Sequence, residues 1–174
     1  DCNWSATEGT KEEHPINCVD WFQARAFAEW LGGDLPSESE WEFAARSRGQ
    51  DIRYPWGSES PTCTLVSYNQ CEDGTSSVCT HPTGNSAQGL CDMAGNVWEW
   101  VLDEYVNTYT DAPVDGAPVC SEPTCRQNDS SRRVDRGGSW RKSAYFIRTA
   151  YRNNNIPDDR HYYLGFRIRR TPSP

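Results

Sequence analysis

Two stretches near the start of the chain carry helical periodicity. In VDWFQARAFAEWLGG, residues Ala24, Phe27, Ala28 and Leu31 fall at the i, i+3, i+4, i+7 spacing of one helix face. Asp20, with Gln23 three positions on, forms a capping box, and Gly32–Gly33 end the pattern. A second box, Ser37 with Glu40, opens another short helix whose apolar face is Trp41, Ala44 and Ala45. Glu38 and Glu42 share one face of it and read as a solvated helix start. From Tyr54 to Asn96 the periodicity dissolves into Pro, Gly, Ser, Thr, Asn and Cys. A loop that long in a compact domain is functional or stapled. Short strands are predicted at Val97–Val101, Arg133–Gly137 and Gly165–Arg169, with a second long loop over 103–132. No internal repeat or linker divides residues 1–174, so one domain is expected.

Composition adds two constraints. Apolar residues make up only 36%, yet there are eight Trp, eight Tyr and five Phe. Such rings bury much area but need partners for their N–H and O–H groups, which predicts a core with many polar tethers. The eight cysteines, at 2, 18, 63, 71, 79, 91, 120 and 125, include no C-x-x-C pair, and only three His accompany them. That pattern reads as disulfides in an oxidising, extracytoplasmic compartment rather than as a metal cluster. The expected pairs are Cys2–Cys18, Cys120–Cys125, and Cys63, Cys71, Cys79 and Cys91 among themselves. The net charge of −8 argues against a nucleic-acid partner. The chain has no apolar run of membrane length, so direct membrane insertion is not expected. Asp1 in place of an initiator Met points to a processed chain or a fragment.

Five segments in order carry a resemblance: DLPSESEWEFAARSRG (34–49), YPWG (54–57), GLCDMAGNVWEW (89–100), RVDRGGSW (133–140) and LGFRIRR (164–170). Together they resemble the formylglycine-generating-enzyme, or sulfatase-modifying-factor, family. The resemblance implies an α+β, C-type-lectin-like fold. Its elements are two short helices, a small twisted antiparallel sheet and much irregular, disulfide-rich structure. The family's usual segment ahead of the first helix is not recognisable here.

The resemblance also bears on chemistry. The family's oxidases carry two cysteines just downstream of Gly-Gly-Ser, and those soft thiolates hold copper. Here that stretch is RKSAYFIRTAYRNNN, and no Cys follows Cys125, so no copper site of that form is expected. Relatives with an iron site use several histidines in a separate domain, which three scattered His do not match. The resemblance further implies a structural Ca²⁺ in the DMAGNVWEW loop. Asp92 and Glu99 would supply carboxylates, and Gly95 and Val97 backbone carbonyls, a hard-oxygen set that suits this ion.

The segment between Trp140 and Leu164 is unlike a core. Tyr145, Phe146, Tyr151, Tyr162 and Tyr163 offer broad amphipathic contacts at low entropic cost. Lys142, Ser143, Asn153, Asn154, Asn155, Asp158, Asp159 and His161 offer adaptable polar ones. This Tyr-plus-Asn chemistry is that of paratopes. Arg148, Arg152 and Arg160 are expected to brace the segment with forks to carbonyls and carboxylates. The pattern is similar to the variable proteins of diversity-generating retroelements, in which adenine mutagenesis of Asn codons cannot produce Lys, Glu, Gln, Met or Trp. None of those five occurs from Ser143 to Tyr163. The expected function is therefore non-catalytic binding of a protein or glycan ligand on a cell or particle surface. The alternatives are an enzyme of the family with an unrecognised site, or a structural domain of a secreted bacterial protein.

Overall fold

The computed structural model describes residues 1–110, 112–119 and 131–170. The first helix, α1, spans Trp21–Trp30 and the second, α2, Glu38–Ala45; both expected capping boxes are present. The buried face of α1 is Trp21, Ala24, Arg25 and Ala28, one step round from the expected stripe. Phe27 and Leu31 lie exposed. Arg25 can take an interior position because its guanidinium reaches Asp34 at 3.2 Å and lies 5.4 Å from the centre of the Trp21 ring.

The strands are β1 (Gly33–Asp34), β2 (Trp98–Glu104), β3 (Arg133–Arg136), β4 (Arg152–Asn155), β5 (Leu164–Phe166) and β6 (Arg169–Arg170). Four form one sheet in the order β4-β3-β2-β5, and β1 pairs with β6 in a second. The larger sheet is antiparallel except for β5, which runs parallel to β2. The single strand expected over Gly165–Arg169 is thus two, in different sheets. The Gly33–Asp34 turn supplies the partner of the second.

The strand β2 runs past its expected end at Val101 because its acidic residues have partners. Asp103 accepts the Glu38 N–H at 2.6 Å and the Val119 N–H at 2.8 Å, and Glu104 lies 4.0 Å from Arg133. The alternation of the strand sorts the core. Trp98, Trp100 and Leu102 pack with Trp21, Ala24, Ala28, Leu35 and Leu164, while Val101 packs with Trp41, Ala45, Met93 and Val134. The polar tethers are those the aromatic content predicts: Trp21 Nε1 donates to the Val101 carbonyl at 2.7 Å, Trp100 Nε1 to that of Val19 at 3.1 Å, and Trp41 Nε1 to Glu99 at 2.6 Å.

Between Tyr54 and Asn96 the only helical piece is a 3₁₀ turn at Pro82–Gly84. Among the described residues there are three disulfides: Cys2–Cys18, Cys63–Cys71 and Cys79–Cys91. The expected Cys120–Cys125 pair lies outside the described residues. The Gly-Gly-Ser segment following β3 turns through positive φ at Gly137 (91°) and Gly138 (77°). A Cβ on Gly138 would sit 2.6 Å from Ile147 Cγ2, so only glycine lets residues 138–147 fold back this closely.

Candidate ligand-binding face

Residues 140–163 leave β3, cross one face of the sheet and return to β5, with β4 as the fixed point between. The Asn-rich stretch is strand rather than loop: Asn153, Asn154 and Asn155 pair with Asp135, Val134 and Arg133 of β3. Its register aims two amides inward. Asn153 Nδ2 donates to one oxygen of Asp135 at 2.8 Å and Asn155 Nδ2 to the other at 3.1 Å. Asn154 faces the other way and accepts from Arg132 at 3.0 Å. Asp135 is fully buried, and desolvation pushes its carboxyl up to about 7 despite the two amides. These three Asn are therefore tied to the framework.

Arg152 alternates with them toward α2. Its fork meets both oxygens of Glu38, at 2.6 and 2.7 Å, and Nη1 donates to the Val106 carbonyl at 2.7 Å. Glu38 is only 3% exposed and also lies 3.3 Å from Arg136, so the solvated helix start expected there is a buried ion cluster. Arg136 donates in turn to Glu42 and to the Tyr151 carbonyl. Arg160 holds Asp20, the cap of α1, at 2.6 Å. The Trp21 N–H donates to the Pro157 carbonyl at 2.9 Å. The bracing expected of Arg148, Arg152 and Arg160 is present, but two of the three reach helix starts rather than the segment itself.

The aromatic side chains form two linked groups above this frame. Tyr145, Phe146 and Tyr151 meet edge to face with centroids 5.0–5.4 Å apart, and Tyr151 rests 5.9 Å from Trp98. His161 stacks on Tyr163 at 4.9 Å, Tyr162 meets Tyr163 at 5.2 Å, and Trp140 lies 6.3 Å from Tyr162. Phe146, Tyr151 and Tyr163 pack on the core below, whereas Tyr145 is 58% exposed. Burial raises the Tyr151 and Tyr163 hydroxyls above their ordinary value and keeps them protonated. Ser143 and Asp158 are exposed. Lys142 lies 5.2 Å over the Phe146 ring, and Asp159 accepts the Ile156 N–H at 3.3 Å.

Two members of this face fall outside the expected set. Arg141 lies within 5.3–5.8 Å of the Trp140, Tyr162 and Tyr163 rings and donates to the Tyr162 hydroxyl. Trp140 is half-buried at the rim. The signal for both was the Trp-Arg pair at the mouth of a tyrosine-rich segment. Beside them a groove of about 810 Å³ runs between Lys11, Asp73, Trp140, Arg160 and Tyr162.

The DMAGNVWEW loop takes positive φ at Asp92, Gly95 and Asn96 and borders a cavity of about 220 Å³ that includes Asp92, Val97 and Glu99. Asp92 accepts the Cys79 N–H at 2.8 Å through one oxygen. Burial raises its carboxyl above the ordinary range. Among the described residues no hydrogen bond ends on its other oxygen or on the Gly95 and Val97 carbonyls, which suits a hard cation. Glu99 fits less well. Arg167 already holds both its oxygens, at 2.5 and 2.6 Å, and Trp41 donates to it. An ion there has to share or displace that guanidinium.

Comparison with known proteins places this geometry. Among curated relatives, the hercynine oxygenase of Mycolicibacterium thermoresistibile is 34% identical over 173 residues, covering 92% of this chain and 37% of that protein. The formylglycine-generating enzyme of Streptomyces coelicolor is 34% identical over 191 residues, covering 95% and 57%. The inactive C-alpha-formylglycine-generating enzyme 2 of Bos taurus is 35% identical over 172 residues, covering 90% and 50%. The chain thus spans about 37–57% of the length of these relatives. Among solved structures, PvdO from Pseudomonas aeruginosa superposes with a TM-score of 0.77 at 31% identity, covering 90% of this chain and 61% of its own. Treponema denticola variable protein 1 superposes at 0.76 with 26% identity, covering 95% and 74%. The Major Tropism Determinant U1 variant, at 16% identity and a TM-score of 0.55 over 86% and 36%, shares the fold alone. With a family profile for the sulfatase-modifying factor enzyme 1-like domain matching residues 1–172, the chain belongs to the formylglycine-generating-enzyme family in its C-type-lectin-like fold.

Proposed function

We propose that this chain is a non-catalytic binding protein that engages a ligand through the face built by residues 141–163. The observation that carries the reading is the contrast within that segment. Its strand and its Arg152 are locked to the frame, while Tyr145 stands mostly exposed and Tyr162 half-buried at the surface; Tyr151 and Tyr163 are half-buried, with one side on the core. A purely structural domain would turn all four tyrosines inward; Tyr151 and Tyr163 do pack on the core, and Tyr145 does not. Two further points support it. No cysteine lies in the segment, and the six described cysteines are all in disulfides, so no described thiol is available for the family's oxidase chemistry. The family includes a relative named inactive and the fold includes one named a variable protein. Diversification of this face by a retroelement, and an oxidising extracytoplasmic compartment, belong to the same proposal.

The test for catalysis uses copper-loaded protein and a Cys-x-Pro-x-Arg peptide under oxygen. No change in peptide mass is expected; conversion to the aldehyde would return the chain to the enzymes. Structural calcium is a second proposal, supported by the cavity that brings Asp92, Val97 and Glu99 together and by the donor-free Val97 carbonyl; Gly95 is not among the residues that line it. Ca²⁺ is expected to raise the melting temperature and EDTA to lower it. An unchanged transition would remove the ion from the account.

A further inference from the structure

We propose that the ligand of this face is an acidic polypeptide segment, a surface loop or strand rich in Asp or Glu. This deepens the binding reading above and rests on it. The starting observation is charge. Residues 141–163 carry five cationic and two acidic side chains, a net of +3, in a chain whose total is −8. The remainder of the chain is therefore at −11, and the segment runs against the charge of its own protein.

The five cations divide sharply. Arg152 and Arg160 are consumed by Glu38 and Asp20. Arg141, Lys142 and Arg148 form no ion pair with any carboxylate among the described residues. Each is seated on aromatic rings instead: Arg148 at 4.0 Å from the Tyr145 centroid, Lys142 at 5.2 Å from Phe146, and Arg141 at 5.3 Å from Tyr162. Two of them also make one side-chain hydrogen bond each: Arg148 Nε donates to the Tyr145 carbonyl at 2.8 Å, and Arg141 donates to the Tyr162 hydroxyl. Ring-seated cations keep donors free to point outward, and the rings hold the stems in place. An incoming carboxylate then meets a preorganised donor with no prior carboxylate to displace.

The same geometry weighs against a neutral glycan. A sugar stacks its C–H face on an open aromatic face, and here a cation already covers a face of Tyr145, Phe146 and Tyr162. It weighs equally against a long polyanion. A nucleic acid or sulfated polysaccharide must run beyond the patch onto a surface that repels it, since screening extends over only about 8 Å at physiological salt. The adjoining groove, with Asp1 and Asp73 opposite Lys11 and Arg160, carries both signs and does not lengthen the cationic strip. A short acidic segment fits within these limits, with tyrosine hydroxyls to satisfy its backbone.

The test is a titration of the whole chain, followed by NMR, with four probes. They are a short synthetic peptide alternating Glu with Gly and Tyr, its Gln counterpart, dextran sulfate, and a single-stranded oligonucleotide. The Glu peptide is expected to bind about ten-fold more tightly than the Gln peptide, to weaken steeply with salt, and to shift Tyr145 and Tyr162 resonances. The combined R141Q, K142Q and R148Q variant is expected to lose that preference at an unchanged melting temperature, with R148K restoring part of it. Equal binding of the Glu and Gln peptides would overturn the acidic ligand while leaving the face a binding surface. Tighter binding of dextran sulfate or the oligonucleotide would overturn the choice of polypeptide. Absence of Glu-peptide binding, or its persistence in the combined variant, would overturn the assignment of these cations. The face reading is tested separately, by whether natural substitutions fall on the outward side chains or are spread evenly over face and frame.

Discussion

Two regions that adjoin β4 are built from the same residue types with opposite outcomes. Toward α2, Arg136 and Arg152 meet Glu38 and Glu42, with Tyr105 and Tyr109 against Arg152. Toward solvent, Arg141, Lys142 and Arg148 meet Tyr145, Phe146 and Tyr162 but no carboxylate. Arginine and tyrosine together thus define no role. What separates frame from binding face is whether the charge is neutralised inside the protein. A buried guanidinium needs a carboxylate to offset its desolvation. A guanidinium resting on an exposed ring does not, and stays available.

The largest effect that would break this comparison lies at Glu38. The E38Q variant leaves Arg152 without a carboxylate and Arg136 with only the partly exposed Glu42. Breaking a buried pair from one side costs roughly 3–5 kcal/mol, to be read from urea unfolding; a loss within 0.5 kcal/mol would mean that the cluster is not holding α2 to β4. An intermediate effect belongs to Asp135. Its folded-state carboxyl is raised from 3.8 to about 7, mainly by desolvation, so between those values the folded chain holds a proton that the unfolded chain has released. Stability is therefore expected to fall as pH rises across that window. Asp103, raised to about 6 by burial, adds a fall of the same sign. The D135N variant should flatten the Asp135 share of the slope, since Asn153 and Asn155 can turn their amide oxygens toward it; an unaltered slope would assign the pH dependence elsewhere. The smallest effect is expected at the face. R148Q should move stability by no more than about 0.5 kcal/mol, and a larger loss would place Arg148 in the frame.

Much of the frame was legible in the sequence because its signals are local. Asp20 with Gln23 and Ser37 with Glu40 are capping boxes whose reach is three residues, and the Cys2–Cys18 pair closes a short loop. The missed features depend on partners far along the chain. Glu38 looks like a solvated acid until Arg152, 114 positions away, reaches it. The segment Arg152–Asn155 looks like a polar loop because its strand hides a carboxylate rather than an apolar face, and no period-two hydrophobic pattern marks it. Asp103 and Glu104 read as the start of a loop for the same reason. The candidate face was found as a segment but not as a set. Composition pointed to residues 141–163, while register decided that Asn153 and Asn155 turn toward Asp135, and side-chain contacts that Arg141 joins the rings.

The measurement closest to the central claim is deep sequencing of the gene's 3′ end across its natural population. The account predicts substitutions concentrated where side chains face outward without a tie to the frame, as at Ser143, Tyr145, Asp158 and Tyr162. It also predicts that Glu38, Asp135, Arg136, Arg152, Asn153 and Asn155 stay fixed. A uniform segment would remove diversification and leave one fixed ligand to be found. Substitutions spread evenly over face and frame would contradict the division between them.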